Sequence, residues 1–275
     1  MKLIDGHALA ATIRQRTKTA IAQSGKQPRL ASILIGKNAA SELYLKLKAK
    51  ACAEVGIAFE RKDFAEDAEE DAVLAHVDAL NNRSDVHAIL IQLPLPEGLD
   101  TDRIIETMDP AKDVDGFHPI NVDAIENGEH IILPVLVKAV LALIEETKTS
   151  LDEKHVVIVN DNEVFLRPFR SVLQQRNALV TTIKEPVVEI MKGSDILITA
   201  VGRAGCVTGD MLHDGMVVID IGIETTPNGV RGDVAADTAQ NLDIWLTPVP
   251  GGVGPMTVAM AMENTALLAD IIIHA

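Results

Sequence analysis

The chain has 275 residues, of which 47% are hydrophobic and 24% are charged, and its formal net charge is −15. This length is typical of two domains, and the composition is that of a folded α/β protein rather than a disordered one. The acidic balance argues against nucleic acid as a partner, because a phosphate backbone demands a basic surface.

Short runs of β-branched residues alternate with helical patterns, which favours α/β domains with mainly parallel sheets. Six runs are brief, apolar and bounded by turn or charged residues, as buried strands are. These runs are Leu30–Ile35, Ala88–Ile91, His155–Val159, Leu179–Thr182, Asp195–Thr199 and Met216–Ile221. Helices are predicted from the spacing of Leu9, Ile13 and Ala20, from that of Val73, Val77 and Leu80, and for the segments Pro134–Lys148 and Met256–Ile273.

The sequence shows no sign of a secreted or membrane-spanning protein. The two cysteines, Cys52 and Cys206, lack metal-site spacing, and a secreted disulfide scaffold would use more of them. No signal peptide follows Met1, and no apolar run approaches the ~20 residues of a membrane span. We therefore expect a cytoplasmic protein that binds neither membranes nor nucleic acid.

Tyr44 and Lys48 lie four residues apart and therefore share one face of a predicted helix, whereas Lys46 and Lys50 point elsewhere. A tyrosine beside a lysine can provide an aromatic platform and a titratable amine in one pocket. A lone lysine on a helix is nevertheless more often a solvated surface residue.

Two polar segments follow or lie near predicted strand ends. Residues 92–96, Q-L-P-L-P, come directly after the strand Ala88–Ile91, at the end where open α/β sheets bind ligands. In K-D-V-D-G-F-H-P, residues 112–119, the carboxylate of Asp115 could accept hydrogen bonds from an amino-pyrimidine ring. Taken alone, each segment is better explained without a ligand, the first as an ordinary strand exit and the second as a polar turn.

The string T-P-V-P-G-G-V-G-P-M-T, residues 247–257, has the most unusual composition. Its three glycines precede a predicted helix, so backbone N–H groups there could approach a ligand closely. The alternative is an irregular loop with a helix cap.

Together, these four segments resemble the folate-site signatures of the methylenetetrahydrofolate dehydrogenase/methenyltetrahydrofolate cyclohydrolase family, in the family's order and spacing. Residues 35–52 match V-G-x-x-x-A-S-x-x-Y-x-x-x-K-x-K-x-C except that Ile35 replaces valine, and the strings Q-L-P-L-P, K-D-V-D-G-F and P-V-P-G-G-V-G-P-M-T match unchanged. The resemblance extends from about Ile4 to the final helix. It implies two α/β domains, the second Rossmann-like, joined by long helices with a cleft between them. The folate-binding catalytic domain would comprise residues 1–132 and 257–275, and the dinucleotide-type domain residues 133–256.

The resemblance also implies roles for the matched residues and a homodimer. Lys48 would be the catalytic amine, with Gln92 hydrogen-bonded to it and Tyr44 stacked against the aromatic part of the folate. Asp115 would hold the pterin ring. The other substrate-binding positions would be Leu93, Pro94, Pro248, Pro250, Gly251, Gly252, Gly254 and Pro255, and no metal is implied.

The cofactor loop departs from the family pattern. The family usually reads G-R-S-x-x-V-G-x-P where residues 160–168 read N-D-N-E-V-F-L-R-P. Asn160 and Leu166 replace glycines that let a backbone approach a pyrophosphate, and two acids stand where phosphates would lie. The family's H-S-x-T loop and most of its P-C-T-P-x-G string are also missing. The positional equivalents of the cofactor contacts are Asn160, Asp161, Asn162, Arg167 and Ile223.

Three functions remain open at this stage. The first expectation is a cyclohydrolase that hydrolyses 5,10-methenyltetrahydrofolate to 10-formyltetrahydrofolate, with an impaired dehydrogenase step and little or no use of NADP or NAD. The second is the full bifunctional enzyme with an unusual cofactor mode, in which Asp161 would disfavour the 2′-phosphate of NADP and so favour NAD. The third is a folate-binding relative whose catalysis has lapsed.

Overall fold

A computed structural model describes residues 1–227, 229–271 and 273 of the chain. The chain folds into two compact α/β units, which confirms the predicted fold class. The N-terminal unit comprises residues 10–124, 130–135 and 258–275, and the C-terminal unit comprises residues 1–9, 125–129 and 136–257. This division differs from the expected boundaries chiefly by placing residues 1–9 and 125–129 in the C-terminal unit.

All six predicted strands and the predicted helices are present, with ends that differ by a few residues. The strands are β1 Lys2–Leu3, β2 Arg29–Ile35, β3 Ala58–Phe64, β4 Ala88–Ile91, β5 His155–Val159, β6 Leu179–Ile183, β7 Ile196–Thr199, β8 Val217–Asp220, β9 Glu224–Thr226, β10 Gly229–Arg231 and β11 Trp245–Leu246. The helices are α1 Gly6–Ser24, α2 Ala39–Val55, α3 Glu70–Asn81, α4 Thr101–Thr107, α5 Pro119–Glu126, α6 Val135–Glu146, α7 Glu163–Gln175, α8 Val188–Met191 and α9 Val253–Leu268.

A parallel three-stranded sheet in the order β3-β2-β4 forms the centre of the N-terminal unit. Strands β2 and β4 are almost entirely buried, so their sequences read as continuous apolar runs. Edge strand β3 was not predicted, because it contains the charged run Arg61-Lys62-Asp63, whose last two residues are exposed, and this run hides the strand pattern. Helix α3 packs on the sheet through the predicted residues Val73, Val77 and Leu80.

In the C-terminal unit, a parallel six-stranded sheet has the order β1-β11-β8-β7-β5-β6. The chain moves outward from β5 to β6 and then returns to the other side of β5 with β7, so the winding reverses between β5 and β7. Doubly wound sheets bind ligands at such a reversal, outside the carboxyl ends of the strands. This topology confirms the predicted Rossmann-like fold and places residues 160 and 200 at the reversal.

The described part of the chain shows neither a membrane-spanning helix nor a cluster of metal-binding side chains. Within residues 1–227, 229–271 and 273, no helix has the length and apolarity needed to cross a membrane. The same residues contain no group of three or more histidine, cysteine, aspartate or glutamate side chains arranged to hold a metal ion.

Candidate functional site

Helix α2 presents Lys48 to the interior of the N-terminal unit. The helix begins after Asn38, whose side chain accepts hydrogen bonds from two backbone N–H groups of the first turn, and it ends at Gly56, whose φ is 91°. Its buried positions recur every three or four residues, so one face packs inward. That face comprises Ser41, Leu45, Lys48, Ala51, Cys52 and Val55.

Lys48 is a buried amine rather than a solvated surface lysine. The residue is only 8% exposed, whereas Lys46 and Lys50 on the same helix are exposed, as predicted. Tyr44, one turn before Lys48, is half-buried, and burial raises the pKa of its hydroxyl. The neutral aromatic ring and the amine therefore lie on the same side of α2.

Gln92 connects this amine to the end of strand β4. Lys48 Nζ donates a hydrogen bond to Gln92 Oε1 over 3.3 Å, and Gln92 Nε2 donates to the Leu93 carbonyl over 2.9 Å. The second bond fixes which end of the Gln92 amide faces the lysine. The two residues predicted to act together are thus in direct contact across 44 positions of sequence.

Asp115 reaches the same place through strand register. Asp113 forms an isolated parallel bridge with Ile89 of β4, and Asp115, two residues further on, lines a small cavity together with Ile91, the residue before Gln92. Burial raises the pKa of the Asp115 carboxyl, the nearby Lys48 charge lowers it, and Asp113 raises it. An amine, an amide and a carboxyl thus converge at the carboxyl end of β4.

A small apolar cavity adjoins Asp115 within the N-terminal unit. Its volume of about 10 Å³ is room for roughly one water molecule. Its lining residues are Ile89, Ile91, Leu93, Ile105, Met108, Asp113, Asp115 and Phe117. Cys52, one turn beyond Lys48, is fully buried, and burial raises the pKa of its thiol to about 12, so it is no nucleophile at neutral pH.

The glycine-rich string at residues 247–257 belongs to the C-terminal unit, where it packs against the start of α1. A Cβ on Gly6 would lie 2.0 Å from the carbonyl oxygen of Gly252, so the two backbones are in direct contact. The N–H of Gly252 donates to the Pro248 carbonyl over 2.7 Å, and α9 begins at the next residue. Pro248, Pro250, Gly251, Gly252, Gly254 and Pro255 remain predicted folate contacts.

At the reversal of the six-stranded sheet, side chains occupy the start of α7. Asn160 Nδ2 donates to the Ala200 carbonyl over 2.6 Å, which links the ends of β5 and β7, and Asn160 Oδ1 accepts from the N–H of Asn162. Asn162 Oδ1 in turn accepts from the N–H groups of Val164 and Phe165. Three amides at this helix start, those of Asn162, Val164 and Phe165, are therefore already bonded to side chains and not free for a pyrophosphate.

The charged side chains exposed at the start of α7 are also acidic, which disfavours a phosphate there. Asp161 and Glu163 are both exposed, and Glu163 pairs with Arg170. Arg167, one of the positional equivalents of the cofactor contacts, pairs with Glu126 over 2.8 Å. Leu166, which replaces a glycine of the family pattern, is only 3% exposed and packs in the core. The residues present therefore do not fit a dinucleotide pyrophosphate held in the family's glycine-loop manner.

Two polar residues beside the site were not predicted as functional. Asp113 is 1% exposed and Asn264, in α9, is fully buried; both bond to the segment that carries Asp115. A signal for Asn264 does exist in the sequence. It lies within a helix that is otherwise mostly apolar, and a polar side chain in such a position needs a partner.

Two family models match the chain and cover most of its length. The catalytic domain of tetrahydrofolate dehydrogenase/cyclohydrolase matches residues 4–115, and the NAD(P)-binding domain of the same family matches residues 134–272. Each model falls mainly on one of the two units.

Whole proteins match over nearly their full length. The bifunctional protein FolD of Halalkalibacterium halodurans is 40% identical over 269 residues, which is 96% of each chain. The crystal structure of the bifunctional FolD methylenetetrahydrofolate dehydrogenase/cyclohydrolase of Campylobacter jejuni superimposes with a TM-score of 0.93 at 37% identity, covering 98% of this chain and 99% of that one. The Trypanosoma brucei FolD, crystallised with NADP and an inhibitor, gives a TM-score of 0.92 at 32% identity, covering 98% and 97%.

Proposed function

Since the chain belongs to the tetrahydrofolate dehydrogenase/cyclohydrolase family, as its motifs predict, we propose that it is a bifunctional enzyme of one-carbon tetrahydrofolate metabolism. It would act as methylenetetrahydrofolate dehydrogenase and as methenyltetrahydrofolate cyclohydrolase. The names of its full-length relatives support this bifunctional alternative better than our first expectation of a cyclohydrolase alone.

The observation that carries the proposal is the buried contact between Lys48 and Gln92, with Asp115 beside it. In the hydrolytic step, water adds to the methenyl carbon, one carbon–nitrogen bond breaks, and the formyl group stays on the other nitrogen. The added water gives up two protons: one is released to solvent as the positive charge of the methenyl group is lost, and the other must pass to the departing ring nitrogen, a transfer that a positioned amine can carry out. Lys48 fits this role because it is only 8% exposed and its amine is held by a hydrogen bond to Gln92.

Folate recognition completes the proposal. The Asp115 carboxyl would accept hydrogen bonds from the amino-pyrimidine part of the pterin, and the half-buried Tyr44 ring would stack on the aromatic portion. The dehydrogenase step needs a nicotinamide dinucleotide as hydride acceptor. The carboxyl edge of the six-stranded sheet would be its binding place by general rule, in a mode other than the glycine loop, because the start of α7 lacks the usual glycine cradle.

That unusual helix start favours a second candidate, a cyclohydrolase without dehydrogenase activity. The side chains of Asn160 and Asn162 satisfy the amides at this end of α7, and Asp161 adds negative charge. To bind at this helix start, a phosphate would have to displace the hydrogen bonds that the Asn160 and Asn162 side chains make to the backbone.

One set of assays separates the candidates. Purified protein is given saturating 5,10-methenyltetrahydrofolate, and hydrolysis to the 10-formyl compound is followed; separately, 5,10-methylenetetrahydrofolate is supplied with NADP or with NAD. Turnover in both assays supports the bifunctional enzyme. Turnover in the first alone supports the second candidate, and no turnover in either, with folate bound, indicates the lapsed binding protein instead.

A further inference from the structure

The segment 113–118, which carries Asp115, is held by a carboxylate of its own. Asp113 Oδ1 accepts from the N–H of Gly116 over 2.9 Å, and Asp113 Oδ2 accepts from the N–H of His118 over 2.8 Å and from Asn121 Nδ2 over 3.0 Å. Asp113 is buried, so these bonds are protected from water. They fix the shape of the turn but not its position in the unit.

Strand β4 holds one side of the turn, where the N–H of Val114 donates to the Ile89 carbonyl, and a residue 150 positions away in sequence holds it from another. Asn264 Nδ2 donates to the carbonyl of Val114 and to the carbonyl of Leu133, both over 3.0 Å. An amide nitrogen carries two protons, so both are used. Asn264 therefore fastens helix α9 to the residue immediately before Asp115 and to a second segment at the same time.

That second segment also touches Asp115 directly. The N–H of Val135 donates to the Asp115 carbonyl over 3.3 Å. A Cβ on Gly116 would lie 2.9 Å from Pro134 Cα, and Gly116 has a φ of +76°, so the two backbones pack against each other without side chains between them. A shift of residues 133–135 would therefore move the Asp115 backbone.

From this arrangement we infer that Asn264 is a positioning residue, which sets folate affinity by holding the Asp115 backbone against α9. Loss of its amide would leave two buried carbonyls without their donor, and the segments would move to find other partners. The carboxyl of Asp115 would move with them, although Asn264 itself does not lie among the proposed folate contacts. The inference rests on the proposed function, because it takes Asp115 as the group that binds the folate ring.

The variant Asn264→Ala tests the inference when its affinity for folic acid is measured by calorimetry on the full chain. Thr265→Val is the matched control: Thr265 is the next buried residue of α9, and its hydroxyl donates to the Ala261 carbonyl of its own helix. We expect Asn264→Ala to weaken folate binding about tenfold and Thr265→Val to change it by less than about twofold.

A double variant distinguishes positioning from general damage. In an Asp115→Ala background, Asn264→Ala should cause no further loss of folate affinity, because its effect passes through Asp115. A loss that persists in that background, or equal affinities of Asn264→Ala and wild type, would overturn the inference while leaving the proposed function intact. A wild-type chain that binds no folate refutes the proposed function instead. If Asn264→Ala does not fold, Asn264→Ser, whose hydroxyl is too short to reach both carbonyls, is put through the same comparisons.

Discussion

The ends of β4 and β5 are equivalent places in two parallel sheets, yet the side chains that follow them behave differently. After β4, Gln92 points its amide oxygen at the amine of Lys48, with a carboxyl nearby. After β5, Asn160 and Asn162 satisfy the backbone of their own loop and of the start of α7. The comparison teaches that polar residues at equivalent strand ends can serve different purposes. Gln92 uses one end of its amide on the neighbouring backbone and the other on the Lys48 side chain, whereas Asn160 and Asn162 bond to backbone groups.

The largest expected effect comes from removing the amine at the first strand end. Lys48→Met should lower cyclohydrolase turnover by about 10²–10⁴-fold, which is the usual contribution of a positioned general acid or base. The control is Lys46→Met, on the exposed side of the same helix, whose turnover should equal that of the wild type. Hydrolysis of the methenyl substrate is the measurement. Unchanged turnover in Lys48→Met would remove Lys48 from the chemistry.

At the second strand end, the largest expected effect is on stability. Leu166→Gly restores the glycine that the family has, but in this chain the side chain is buried in the core. We expect the free energy of unfolding to fall by about 3–5 kcal/mol, from the lost burial, the cavity and the helix-breaking tendency of glycine. Val164→Gly, at an exposed position of the same helix, should cost only about 1 kcal/mol in urea unfolding. Equal costs would show that Leu166 does not act as a core residue.

A smaller effect is expected from reversing the charge beside the start of α7. Asp161 is exposed and lies in the loop that would face a cofactor phosphate. Asp161→Arg should tighten NADP binding by about tenfold and NAD binding by less, because only NADP carries the additional phosphate. Titration of both cofactors against both proteins measures the difference. If neither affinity changes, this loop does not contact a dinucleotide, and the second candidate function gains support.

The sequence predicted six of the eleven strands found in the described residues, because five of those six are almost entirely buried and helices alternate with them. It failed at β3, where the charged run Arg61-Lys62-Asp63 conceals a half-buried edge strand. At the site it predicted which residues converge, because Lys48, Gln92 and Asp115 stand in recognisable strings. It could not predict the support from Asn264, since that bond joins segments 150 residues apart and depends on tertiary packing alone. Nor could it predict that Asn160 and Asn162 would satisfy the start of α7.

The smallest expected effect is a shift in pH dependence at the first strand end. Because burial raises the pKa of Asp115, ionisation of this carboxyl in the folded protein lags behind that in the unfolded chain. Its contribution to the free energy of unfolding is therefore greatest below the ordinary aspartate pKa and declines as pH rises through the folded value.

Folate affinity should change in the opposite direction, rising with pH, if the ionised carboxyl binds the pterin. Lys48→Met removes a positive charge that lowers this pKa, so the midpoint of folic acid binding should move to higher pH, while Lys46→Met leaves it in place. Calorimetric titrations at several pH values test this, and a midpoint that does not respond to Lys48→Met would show that the amine and the carboxyl are not electrostatically coupled.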